Sequence, residues 1–170
     1  MSYYLGNPLT KQWIELPGRE KKSWSTVPTA ALAFDPSSAS IHFKVVLFNS
    51  PRIRRGKPYK IEIFSSETWQ WVLEESTGEV PNASLSNEPW SVYLNGVLYK
   101  ISSAQSLLCL EIEERRFSSL KLPELITDRR RRPRAKMRIL RGIDGCLHFI
   151  RDHERTRILV WMLEDLSTGK

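Results

Sequence analysis

"SVYLNGVLYKIS" (residues 91–102) places two short apolar runs on either side of Asn95-Gly96. A near relative, "RGIDGCLHFI" (141–150), puts Asp144-Gly145 at its bend, 49 residues after the first. A two-residue turn that follows the right-handed twist of its strands needs positive φ at both central positions, which Asn-Gly and Asp-Gly tolerate best. Residues 91–102 and about 138–150 therefore read as tight β-hairpins.

A second kind of hairpin alternates with the first: a strand, a polar turn, then an aromatic residue opening the next strand. Its copies are "NPLTKQWIELP" (7–17), "IEIFSSETWQWVLEE" (61–75), "LCLEIEERRFSSLKLP" (108–123) and the unfinished "VWMLEDLSTGK" (160–170). The opening aromatics are Trp13, Trp71 and Phe117, spaced by 58 and 46 residues. Short runs such as "HFKVVLF" (42–48), "YKIEIF" (59–64) and "RILVWML" (157–163) are rich in Val, Ile, Leu and aromatics, the pattern of strands. No stretch has the periodicity of an amphipathic helix.

Four strands per repeat of about 50 residues, with no helix, is the signature of β-propeller blades. The competing fold is a sandwich of unrelated hairpins, which would not repeat. The chain holds the end of one blade, a whole blade at about 29–75, another at about 90–122 and most of a third. The expected fold is all-β: a partial, open propeller of three to four four-stranded antiparallel blades, forming one incomplete domain over residues 1–170. Such an arc falls short of the usual ring of 4–8 blades. Both ends cut through a repeat, so a truncated ring is expected, with apolar faces uncovered at its two ends.

The net charge of +7 is uneven. Between Arg115 and Arg141 eleven Arg or Lys oppose Glu124 and Asp128, a balance of +9 that leaves about −2 elsewhere. No run of about 18 apolar residues exists, so no membrane partner is expected. The N-terminus lacks a basic start and a signal-length apolar core. The expected location is cytoplasmic or nuclear, where Cys109 and Cys146 are reduced, buried strand residues.

Little in the chain invites catalysis. His42, His148 and His153 lack the spacing of a zinc site, and no nucleophile elbow or phosphate-cradling loop occurs. Glu74, Glu75, Glu113 and Glu114 fall at strand ends or turns, where carboxylates are solvated. The expectation is a non-enzymatic protein with no metal and no cofactor. "DRRRRPRAKMR" (128–138) is the exception to this bland surface. Clustered Arg neutralises phosphate or grips carboxylates in bidentate pairs. A nucleic-acid module usually adds stacking aromatics, and none lies between Leu122 and Ile143. The segment reads first as a solvated loop between blades. As a binding element, Arg129, Arg130, Arg131, Arg132 and Arg134 would meet an acidic protein surface. Trp13, Trp71 and Trp161 read as blade packing. Trp24 and Trp90, in loops, are the aromatic candidates for partner contact.

Six phrases, in order and at matching distances, resemble the F-box-associated domain of plant F-box proteins, a kelch-like propeller. They are residues 7–17, "FDPSS…FKVVLF" (34–48), 61–71, 91–102, 107–123 and "ILVWMLED" (158–165). The resemblance implies a substrate-recognition module of SCF-type E3 ubiquitin ligases, holding a target protein that the sequence does not name. In that family an N-terminal F-box docks on a Skp-family linker and thereby on cullin. Nothing helical precedes Asn7, so this docking is expected only of a longer form carrying an F-box. The alternative function is a basic module that binds nucleic acid or acidic partners through residues 129–141. Three departures from the family stand out. Lys100 replaces a Trp in an inner strand, where its ammonium must snorkel to water or be left poorly solvated, which is costly. Trp69 occupies a turn position that commonly carries Gly. Ala31 and Ala33 lie in a segment that is usually Gly-rich.

Overall fold

Strands that are covered on both faces need apolar side chains at every position, whereas edge strands alternate. The computed structural model follows this rule. It describes residues 2–19, 28–36, 41–49, 52–54, 57–77, 83–85, 91–102, 106–122, 138–153 and 157–163, and they form strands and turns without a helix. Strand β1 (Tyr4–Asn7) pairs with β2 (Gln12–Glu15). The first complete sheet contains β3 (Thr29–Phe34) and β4 (Phe43–Phe48). After a short β5 (Arg52–Ile53), it is completed by β6 (Lys60–Ser65) and β7 (Gln70–Glu75), in the order β3-β4-β6-β7. β5 pairs with β8 (Ala83–Ser84). The second sheet is β9 (Ser91–Leu94), β10 (Val97–Ile101), β11 (Ser106–Glu111) and β12 (Arg116–Lys121), in sequence order. The third is β13 (Arg138–Ile143), β14 (Cys146–His153) and β15 (Arg157–Leu163). All pairings within these sheets are antiparallel.

The expected blades are thus present, and the turns repeat in conformation as well as in sequence. Asn95 and Gly96 have φ of 50° and 84°, and Asp144 and Gly145 have 50° and 76°, both tight hairpins with two left-handed residues. The other hairpins each place one left-handed residue two positions before the opening aromatic: Lys11 (55°), Trp69 (58°) and Arg115 (55°). Glycine is favoured at such a position, which accounts for the family habit from which Trp69 departs.

The sheets succeed one another around their first strands. β9 lies against β3 on one side and against β13 on the other. A Cβ at Gly142 of β13 would stand 3.3 Å from Leu94 of β9, so the two inner strands approach closely there. One face of the second sheet buries Leu98, Leu108, Leu110 and Phe117 against Ala31, Ala33, Val46, Phe48 and Ile61 of the first. The Phe117 ring meets Tyr59 edge-on at 5.7 Å. The opposite face buries Tyr99, Ile101, Leu107 and Cys109 against Leu140, Leu147, Phe149 and Trp161. A third cluster joins Leu16 and Tyr3 to Val45, Leu47, Phe64 and Trp71 on the far side of the first sheet. This is an open β-propeller arc. Ile158, Val160 and Met162 are exposed on the outer face of the third sheet, as expected for an uncovered end.

Three local expectations need correction or refinement. Lys100 does not reach water: it is 1% exposed, on β10 between Ser91 and Leu108, in a strand sheathed on both sides. Trp71 and Trp161 pack between sheets, but Trp13 is 71% exposed, because no further sheet faces it among the described residues. Both cysteines are free, Cys109 buried and Cys146 only partly so.

Phe117 bridges two sheets, so Phe117→Ala is expected to destabilise the chain by about 3–5 kcal/mol, as lost burial plus an unfilled cavity. Urea unfolding followed by far-UV circular dichroism would measure it.

Candidate protein-binding surface

Trp24, Trp90, Arg129–Arg132 and Arg134 lie outside the described residues. Of the basic segment 129–141, residues 138–141 are described, and they open strand β13, within the hairpin expected at about 138–150. Arg141 is exposed there.

Two concavities flank the β1–β2 pair, and composition alone did not reveal either. The larger has a volume of about 630 Å³ and is lined by Leu5 and Gly6 of β1, Trp13 and Ile14 of β2, and Leu32, Phe34 and Phe43 of the first sheet. Leu32 and Phe34 are 41% and 38% exposed, although they share a face with buried Val45. Gly6 is the cross-strand partner of Trp13. A Cβ at Gly6 would come within 2.2 Å of the indole, so the ring lies flat on the bare backbone. β1 pairs only with β2 among the described residues, leaving its other edge available for main-chain hydrogen bonds.

The second cavity, about 270 Å³, is lined by Pro17, Gly18, Arg19, Glu62, Trp69, Gln70, Trp71 and Leu73. Alternation along β6 turns Glu62 onto the same face as Phe64, so a carboxylate stands in an otherwise apolar surface. Arg19 compensates it: Nε lies 3.1 Å from Glu62 Oε2, and Nη1 donates to the Tyr3 hydroxyl at 3.2 Å. Trp71 Nε1 donates to the Pro17 carbonyl at 2.9 Å, fixing the chain that carries Arg19. Glu62 Oε1 is buried and accepts no hydrogen bond among the described residues.

Three of the four carboxylates read as solvated surface also form ion pairs across turns and sheets, and Glu75 and Glu113 stay exposed. Glu74 meets Arg115 at 3.0 Å, Glu75 meets Lys60 at 3.2 Å, and Glu113 pairs with Lys44. Among the described residues no group of three or more His, Cys, Asp or Glu could hold a metal ion. Burial pushes the Cys109 thiol up to about 11 and, with neighbouring Cys109 and Glu111, the Tyr99 phenol up to about 12. A thiol held protonated is a poor nucleophile.

Two expectations follow. Gly6→Ala displaces the indole and weakens the β1–β2 pair by up to about 1 kcal/mol, seen as a shifted Trp13 indole NMR signal beside an unmoved Trp71. Because Cys109 and Tyr99 ionise later folded than unfolded, their contribution to stability is complete below pH 9 and is lost as pH rises through 11 and 12. Urea midpoints should therefore fall between pH 9 and 11, and less steeply in Cys109→Ala.

The comparisons with known proteins agree with this architecture. The model of the family described as "F-box protein At3g26010-like, beta-propeller" matches residues 1–168. No curated protein and no solved structure matches the chain.

Proposed function

This chain belongs to the F-box protein At3g26010-like β-propeller family, and from that premise we propose that it recognises protein substrates for an SCF-type ubiquitin ligase. It acts in the cytoplasm or nucleus of a plant cell. The observation that carries the reading beyond family membership is the groove at Leu32, Phe34 and Trp13 beside the open edge of β1. An extended segment of a target can add to β1 by main-chain hydrogen bonds while alternate apolar side chains enter the groove. Rigid sheets behind the groove limit the entropy lost on binding. Trp24, Trp90, Arg129–Arg132 and Arg134 are further candidate partner contacts in this reading, the arginines for acidic parts of the target.

Ubiquitin transfer belongs to other subunits, so the chain contributes position and no bond-making group. Docking on a Skp-family linker and cullin belongs to a form that carries an F-box. The domain spanning 1–170 supplies recognition.

The test is affinity capture by the purified chain from plant extract treated with a proteasome inhibitor. Specific proteins carrying ubiquitin should be retained, and Leu32→Asp with Phe34→Asp should weaken retention at least tenfold, about 1.4 kcal/mol. Binding of generic DNA that persists at physiological salt and vanishes when residues 129–134 become Ala would favour the basic-module alternative instead.

A further inference from the structure

We infer that a second copy of this chain covers both open ends of the arc: the outer face of the third sheet of each copy receives Trp13 of the other, closing two arcs head to tail into one ring. The inference does not rest on target recognition, which is tested at Leu32 and Phe34.

The chain builds one kind of sheet-to-sheet interface and repeats it. In each, the aromatic that opens the last strand of a sheet reaches into the sheet before it. Phe117 of β12 enters the cluster of the first sheet beside Tyr59. Trp71 of β7 packs with Leu16 and meets the Tyr3 ring at 5.8 Å, both at the β1–β2 pair. Trp13 of β2 holds the same place, two residues after a left-handed turn residue. Leu16, three residues on, packs on the first sheet, so alternation points Trp13 the other way. It is exposed there, because no preceding sheet stands before it among the described residues.

What such an aromatic meets is the far face of a preceding sheet, and the third sheet leaves one uncovered. On β15, Trp161 and Leu163 pack against the second sheet, while Ile158, Val160 and Met162 alternate with them and are exposed. Each copy thus has one unfilled aromatic and one uncovered face of the kind that aromatic fills. Charge favours joining unlike ends. Arg141 is exposed on the outer face, in register with His148 and Met162, and Glu15 shares a face of β2 with Trp13. Two outer faces brought together would oppose their arginines instead.

Counting the β1–β2 pair, the described residues give the arc four sheets, so two copies bring eight, within the 4–8 blades of closed propellers. Head-to-tail contacts make rings where the rotation closes. A single contact is small: strands about 4.8 Å apart with a rise of about 3.3 Å give the third sheet a face of about 300 Å². A stable pair buries about 800 Å² per partner, so an open chain of single contacts falls well short. A closed pair uses both ends of each copy and doubles the contact, which suits a dimer that dissociates on dilution.

The test follows the mass of the purified full chain by sedimentation equilibrium, from about 1 to about 100 µM, where weak interfaces dissociate. The mass should rise reversibly from the 19.8 kDa of one chain to twice that value and no further. Trp13→Asp and Val160→Asp each disable one end at an exposed position. Each should weaken the pair at least tenfold and leave the far-UV circular dichroism unchanged. Mixing the two variants should restore part of the association, because the intact outer face of Trp13→Asp meets the intact Trp13 of Val160→Asp. Unfolded variants cannot give that result. A mass of one chain throughout, masses beyond twice that value, an undiminished pair in either variant, or a mixture that stays monomeric would overturn the inference.

Discussion

Burial of the second sheet on both of its faces is the constraint on which the rest of the molecule depends. Leu98, Leu108, Leu110 and Phe117 need the first sheet, and Tyr99, Ile101, Leu107 and Cys109 need the third. Water cannot cover either set without cost, because β10 and β11 carry apolar side chains on both faces, Lys100 excepted. The sheets must therefore stack face to face, with their first strands β3, β9 and β13 drawn together. Radial succession is the geometric outcome of sheets that twist while being covered twice.

The same constraint explains what is exposed. An open arc has ends, and each end shows the kind of surface that the interior hides. The outer face of the third sheet presents Ile158, Val160 and Met162 to solvent. At the other end, β1 and β2 cover part of the first sheet through Leu16 and Tyr3 and leave Leu32 and Phe34 beside a groove. Apolar patches next to an open strand edge are the elements from which strand-adding recognition is built. The recognition proposed for this chain thus draws on surfaces that its architecture leaves open.

Polar groups inside the arc carry a different message. Lys100 and Glu62 both stand in apolar surroundings, yet their settings differ. Lys100 is sealed between sheets on β10, and whatever it does there is internal to the packing. Glu62 is on β6 next to the outermost strand, near enough to the surface that Arg19 and a cavity meet it. Strand order within a blade thus sets which buried charge finds a partner from a neighbouring segment, as Glu62 finds Arg19.

Periodicity in the chain determined the blades, because turn chemistry is local: Asn-Gly, Asp-Gly and the residue two positions before each opening aromatic set the turn φ within the hairpin itself. Runs such as Val45–Phe48 and Leu107–Leu110 also announced strands, and stacking then covered them on both faces. The site was far less legible. Its groove joins Leu5 and Trp13 to Leu32 and Phe43, and its cavity joins Arg19 to Glu62 and Trp69, residues whose nearness comes only from one sheet meeting the next. Sequence spacing cannot encode which face of a strand lacks a neighbour. Trp13 and Trp71 therefore looked alike in their repeats, although one lies open and the other is packed. Only tertiary stacking decided between them, because burial belongs to the pair of surfaces that meet and not to either residue.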